Sequence, residues 1–535
     1  MSMKERLSKS GWANGSVEKE SHSVLARAVA LHLDGKPKEA LTELNAAVTI
    51  SPTNQEILAA RGHILCEVED WAEAAKNYTA LVDVAPRNST AVYNLAICLE
   101  KTRQWEQAGL RFEQALKMDS KRVECYLGQG LCLLHEDKAE AALNNLEKYL
   151  EAHPEDETAQ FGKAVALQML WRFDAAVDIF ELLLGRKPDS EDILTNLVAI
   201  AVARRDDSSL RKYTEKLMRL NPESEAAIEG MATCCFLSED FETANKHCAK
   251  LVEMTSDHYE RWFNFGVSGL KLRKYSESAQ AFEQAVRIRP DAKQAYFNLG
   301  IARQELKDFR AAQSAYEQAL RITPDMPEVL FNLGTVLEET GNAEQAEDTY
   351  HRVLAKDSNW SQAWFRIGYL RLERQDWRTA TEAFTNCLSL EPDWPDALAN
   401  LAISQWKARN IEGARKTYHK LFETKPDSLD ALRGLAAVAI DQKNYEEALD
   451  YQARLIDLGE HGPELFYNTG LLLHRQGQFD DAARLYQEAI NEQPEFAEAF
   501  LNLGHALMSQ GNEAEAKSCW KLALEAKPEL AANYF

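Results

Sequence analysis

The sequence predicts an all-α fold, a tandem array of about fifteen helix-turn-helix units, and three observations carry that prediction. Prolines stand at 52, 86, 154, 188, 222, 290, 324, 392, 426, 494 and 528, all separated by multiples of 34 residues. Small residues recur at the same interval. So does a short asparagine motif: Phe-Asn-Phe-Gly at 263–266, Phe-Asn-Leu-Gly at 297–300 and 331–334, and Leu-Asn-Leu-Gly at 501–504. A fixed period of roughly 20–50 residues marks a repeat architecture, in which each unit is stabilised by stacking on its neighbours.

The phase holds from end to end. The missing proline rungs fall on Ser120, Ser256, Ser358 and Glu460, without insertion. With proline at position 32, fifteen units begin at 21, 55, 89 and so on to 497, covering 21–530. Position 8 is Gly or Ala in all but one unit, and position 20 is Ala in all but two, Leu210 and Ser278. Small residues twelve apart let two antiparallel helices approach closely. Position 4 is mostly large and apolar (Trp262, Tyr296, Leu330, Trp364), and position 17 is aromatic in nine units. Helical periodicity places both on faces that meet between helices.

The remaining prolines test the phase independently. Pro327, Pro395 and Pro463 occupy position 1 and Pro37 position 17, the first turns of the two predicted helices. Proline is tolerated there because its missing N–H has no intrahelical partner. Every one of the 15 prolines therefore lies outside a predicted helix interior.

Outside the array, residues 1–20 are polar and read as a flexible tail, and 531–535, Ala-Ala-Asn-Tyr-Phe, reads as the start of an incomplete unit. Unit six departs furthest, with Val198 and Leu210 in the small columns, and is expected to form a softer joint. Gly459–Pro463 is expected to bend the stack locally. The first twenty residues lack the apolar core of a signal peptide, and no later stretch of about 18 apolar residues could span a bilayer.

Composition narrows the function classes. The 61 basic and 84 acidic residues give a net charge of −23, which favours solubility and disfavours nucleic acid or anionic membrane as the main partner. The 9 cysteines contain no Cys-x-x-Cys pair, so structural zinc has no support and the cytoplasm is the natural compartment. Neither a phosphate-binding Gly-x-x-x-x-Gly-Lys loop nor a His-Glu-x-x-His helix is present, and Gly128-Gln-Gly130 lacks the third glycine of a nucleotide fingerprint. The 12 histidines are dispersed. The expectation is no catalytic residue, no metal, no cofactor and no enzyme acting alone.

A small residue at 8, Ala at 20, Pro at 32 and an aromatic at 17 resemble the tetratricopeptide repeat family over nearly the whole chain. The resemblance implies a right-handed superhelix whose first helices line a concave groove, with a binding role and no chemistry. It also implies that positions 2, 5, 6, 9, 12 and 13 face the groove. Position 6 is asparagine in eight units: Asn94, Asn196, Asn264, Asn298, Asn332, Asn400, Asn468 and Asn502. An amide offers both donor and acceptor and can bond a peptide backbone without reading side chains. The repeated amides resemble the asparagine ladder in the superhelical repeat region of O-linked N-acetylglucosamine transferases. Asparagine is also the family's consensus residue there, so a helix-surface role is the competing reading.

Position 5 carries rings beside these amides, notably Phe263, Phe297, Phe331, Phe365 and Tyr467, which serve either as ligand contacts or as a supporting wall. Groove charge is uneven: Glu305, Glu328, Glu338 and Glu339 precede Arg366, Lys407, Arg433 and Arg475. Trp360 and Trp394 fall in turns, where they mark either a second contact surface or inter-unit packing. The leading functional reading is a scaffold or adaptor binding an extended peptide or flexible protein segment in the groove. The alternatives are a substrate-recruiting subunit of a separate enzyme, such as a glycosyltransferase, and a scaffold self-associating as a homodimer through its repeat ends or convex face.

Overall fold

The computed structural model describes residues 23–533; the expected tail at 1–20 and the last two residues lie outside that range. Every described element is helical. Residues 23–33 form the first helix of repeat 1 and Pro37–Ile50 the second. The pairing recurs in phase, from Gln55–Glu67 with Trp71–Val84 to Ala497–Ser509 with Glu513–Ala526. Second helices begin at position 17 throughout, and first helices from repeat 2 onward at position 1, except in repeat 4, where Glu124 at position 2 opens the helix. Contacts divide the chain between Ser256 and Asp257 into two compact units, holding repeats 1–7 and 8–15. No helix among the described residues is long and apolar enough to cross a membrane.

Local sequence explains where the helices start. Asp70, Asp240, Asp308 and Asp376 at position 16 accept hydrogen bonds from the backbone N–H three residues on, capping the second helix. Asn54, Asn88 and Asp156 at position 34 cap the first helix in the same way. First helices end through a device the sequence columns do not announce. Position 15 is left-handed in every repeat, yet it is glycine only at Gly35, Gly341, Gly477 and Gly511. The amide after it closes back on position 11, as in Gln104 to Leu99 and Asp308 to Arg303, both at 2.9 Å.

The core is a seam between the two helices of each pair. Ala74, Ala108, Ala176 and Ala312 at position 20 are fully buried, as are Phe112, Phe180, Phe282, Tyr316, Tyr350, Phe384 and Tyr486 at position 24. The glycine of position 8 exists for that ring: a Cβ on Gly334 would lie 2.5 Å from Cε1 of Tyr350. In repeat 6 the larger Val198 and Leu210 are buried between two regular helices, Glu191–Arg204 and Asp207–Leu220. The division of the chain falls one repeat later, after Ser256, which stands where most repeats have proline. Before Pro463, the helix Tyr445–Asp457 is one residue shorter than its 14-residue counterparts and is followed by left-handed Gly459. Pro528–Asn533 forms a 3-10 helix whose Leu530 packs in one cluster with Leu501 and Trp520.

Candidate functional site

Position 6 lies against position 24 of the preceding repeat. At Gly128 and Gly434 a ring fills the space: a Cβ on Gly128 would lie 2.6 Å from Cε2 of Phe112, and one on Gly434 would run into Cε1 of Tyr418. At Asn94 and Asn332 the amide meets the same neighbour. Asn94 Nδ2 donates to the Tyr78 hydroxyl at 3.1 Å. Burial raises the Tyr316 hydroxyl above the usual tyrosine range, and a hydrogen bond from Asn332 works against that shift.

The eight predicted asparagines thus separate by what their amides do. Asn502 donates to the Tyr467 hydroxyl at 2.9 Å and to the Glu498 carbonyl at 3.0 Å. Asn196 donates back to the Asp192 carbonyl at 2.8 Å, within its own helix. Asn264, Asn298, Asn400 and Asn468 make no side-chain hydrogen bond among the described residues. Asn264 and Asn468 are exposed, and Asn298 and Asn400 half-buried. All four belong to the unit beginning at Asp257.

The position-5 rings turn inward. Phe263 packs on Phe282 at 5.8 Å between centroids, Phe297 on Tyr316 at 6.1 Å, Phe331 on Tyr350 at 5.5 Å, Phe365 on Phe384 at 5.7 Å and Tyr467 on Tyr486 at 5.9 Å. Each remains half-buried, so the rings flank the asparagines as a wall. The turn tryptophans belong to that wall: Trp360 stacks on Phe331 at 5.7 Å and Trp394 on Phe365 at 4.5 Å. Neither caps the helix it precedes through its side chain, so stacking takes the place of a polar cap.

Much of the predicted charge is partnered within the chain. Arg366 pairs with Glu338 at 3.3 Å, and Arg433 with Glu460 and, at 3.5 Å, with Asp430. Arg475 donates to the Tyr445 hydroxyl at 2.9 Å, and Lys407 lies over the Trp406 ring at 5.0 Å. Glu305, Glu328 and Glu339 are exposed. The charge that these predicted residues leave unpaired is therefore acidic.

Fold and surface together define a solenoid of stacked helix pairs bearing a polar, ring-walled face. Models of the tetratricopeptide repeat match residues 60–110, 136–191, 263–308 and 399–463, and further models of the same repeat match 304–365, 470–511 and 497–530. These matches cover more than half of the chain, which belongs to the tetratricopeptide repeat family and is a protein-interaction scaffold. No curated protein matches it by sequence. Among solved structures it is similar to YrrB, a tetratricopeptide repeat protein with an unusual peptide-binding site (21% identity, 35% of this chain and 96% of that one, TM-score 0.32). It is also similar to the Cut9–Hcn1 hetero-tetramer of APC/C (16% identity, 77% and 95%, TM-score 0.37). A third is a tetratricopeptide repeat protein from Parabacteroides merdae (17% identity, 50% and 98%, TM-score 0.33). At these values none bears on partner or mechanism.

Proposed function

We propose that the chain is a non-enzymatic adaptor whose second compact unit holds an extended peptide or flexible protein segment along its first helices. The observation that carries this reading is the set of four amides, Asn264, Asn298, Asn400 and Asn468, that no group among the described residues uses. Each offers a donor and an acceptor, the complement of a peptide backbone. Phe263, Phe297 and Tyr467 give three of these amides, Asn264, Asn298 and Asn468, a partly apolar wall in which a hydrogen bond is stronger than in open water.

Magnitudes set the length of the ligand. Four amide contacts contribute about 1 kcal/mol each, whereas association costs roughly 4–15 kcal/mol before a flexible segment is ordered. A segment touching only these rungs binds weakly. A useful partner runs past them and carries basic residues that meet Glu305, Glu328 and Glu339. The test compares proteins co-purified with wild type and with the Asn264→Ala, Asn298→Ala, Asn400→Ala, Asn468→Ala variant, after circular dichroism confirms equal helicity. Loss of specific partners is expected; an unchanged set of partners sinks the proposal.

A further inference from the structure

Two histidines from successive repeats, distant in sequence, meet in space. His32 stands at position 12 of repeat 1, and His63 and Glu67 at positions 9 and 13 of repeat 2. His63 Nε2 lies 3.4 Å from Glu67 Oε1, and His32 Nδ1 lies 3.4 Å from Glu67 Oε2. The three ligand atoms all fall within 4.8 Å of one another, and the imidazole rings meet edge to face at 6.1 Å. His32 Nδ1 is shielded from solvent yet makes no hydrogen bond. Its approach to Glu67 therefore has the distance of an ion pair without the alignment of a hydrogen bond.

We infer that His32, His63 and Glu67 form a binding site for a divalent transition-metal ion of the zinc class, bridging repeats 1 and 2. Two imidazoles and one carboxylate suit zinc and its neighbours, whereas calcium and magnesium take oxygen ligands. Each histidine nitrogen lies 3.4 Å from a different oxygen of the Glu67 carboxylate, near the roughly 3.4 Å that zinc–ligand bonds of about 2.0–2.2 Å at tetrahedral angles set between ligand atoms. One ligand atom from each residue falls within 4.8 Å of the others. The remaining His–His edge closes by rotation of the exposed His63 ring. His63 and Glu67 are four apart on one helix and so share a face, while His32 comes from the adjacent first helix. An ordinary pair of surface His–Glu contacts leaves His32 Nδ1 without a bond; metal ligation uses it. Three protein ligands leave a fourth position for water or a partner's side chain. The site lies in the first compact unit and does not rest on the asparagine rungs of the second.

The test titrates cobalt(II) into the reduced full-length protein, follows its visible absorption, and then displaces it with zinc(II). One saturable equivalent is expected, without the sulfur-to-metal charge-transfer band that cysteine ligation produces. His63→Ala and Glu67→Gln, both at exposed positions, should each weaken binding at least about tenfold, and Cys66→Ser should leave it unchanged, all at wild-type helicity. Absence of saturable binding, binding insensitive to both ligand variants, or loss in Cys66→Ser would overturn the assignment.

Discussion

Glu338 accepts a hydrogen bond from the Tyr350 hydroxyl at 2.5 Å and pairs with Arg366 of the next repeat at 3.3 Å. Burial raises the Glu338 carboxyl above the usual glutamate range, and Tyr350 and Arg366 oppose that shift without cancelling it. A raised folded-state value contributes stability that is fully present below the unfolded value and is lost as pH rises through the folded one. Removing Arg366 deletes one opposing partner and raises Glu338 further. Arg366 is 41% exposed, so the pair is discounted for solvent screening. Arg366→Ala is expected to cost about 1 kcal/mol at pH 8, with the difference shrinking toward pH 4.5 as Glu338 takes up its proton. Urea midpoints across that range measure it, and a difference independent of pH would show that the two side chains are uncoupled.

The two kinds of position-6 asparagine should respond differently to the same substitution. Asn94 bonds Tyr78, whose side chain is buried, so Asn94→Ala should destabilise by about 1 kcal/mol. Asn468 is exposed and holds no partner among the described residues, so Asn468→Ala should stay within about 0.5 kcal/mol of wild type. Thermal unfolding of the two variants side by side is the measurement. Equal losses would mean that both amides serve the fold, leaving nothing at Asn468 for a ligand.

The repeat was legible because its phase is written in residues with single physical meanings. Proline cannot sit inside a helix, and only a small residue fits between close helices, so positions 32, 8 and 20 reveal the pairs directly. Position 24 was not read because Leu44, Leu146, Thr214 and Gln452 share it with the buried rings, and a mixed column has no sequence mark. Its importance appears only from Gly334 and Tyr350 in contact. Position 15 was hidden for the opposite reason: Glu69, Trp171 and Arg273 give no hint of a left-handed backbone. The candidate site was half legible. Residue type identified the amides, but which of them are already bonded depends on Tyr78, Tyr316 and Tyr467, contributed by neighbouring repeats.

Cys66 and Cys98 place their sulfurs 3.6 Å apart across repeats 2 and 3. The hydrogen bond from Cys98 lowers the Cys66 thiol below the usual cysteine value against a burial effect that raises it, while Cys98 itself is pushed up, chiefly by that same bond. Cys66 is also half-exposed, whereas seven of the other cysteines are buried and the half-exposed Cys519 is raised by burial. The thiolate is the reactive form. Limiting iodoacetamide at neutral pH should therefore label Cys66 first, as read by peptide mass mapping, and Cys98→Ala should slow that labelling. Preferential labelling of Cys519 would contradict the assignment.

The left-handed turn residues leave stability unrealised. Arg273 at φ 58° and Arg409 at φ 64° hold a conformation that crowds the Cβ of an L-residue, and both side chains are exposed. Glycine removes the crowding and adds some unfolded-state entropy, and the first effect is the larger at a fixed left-handed position. Arg273→Gly and Arg409→Gly are each expected to stabilise by about 1 kcal/mol. Because the two positions are in different repeats and share no partner, their effects should add in the double variant. Differential scanning calorimetry of the two single variants and the double variant checks both claims. A fall in melting temperature would show that these arginines contribute more through their side chains than their backbone conformation costs.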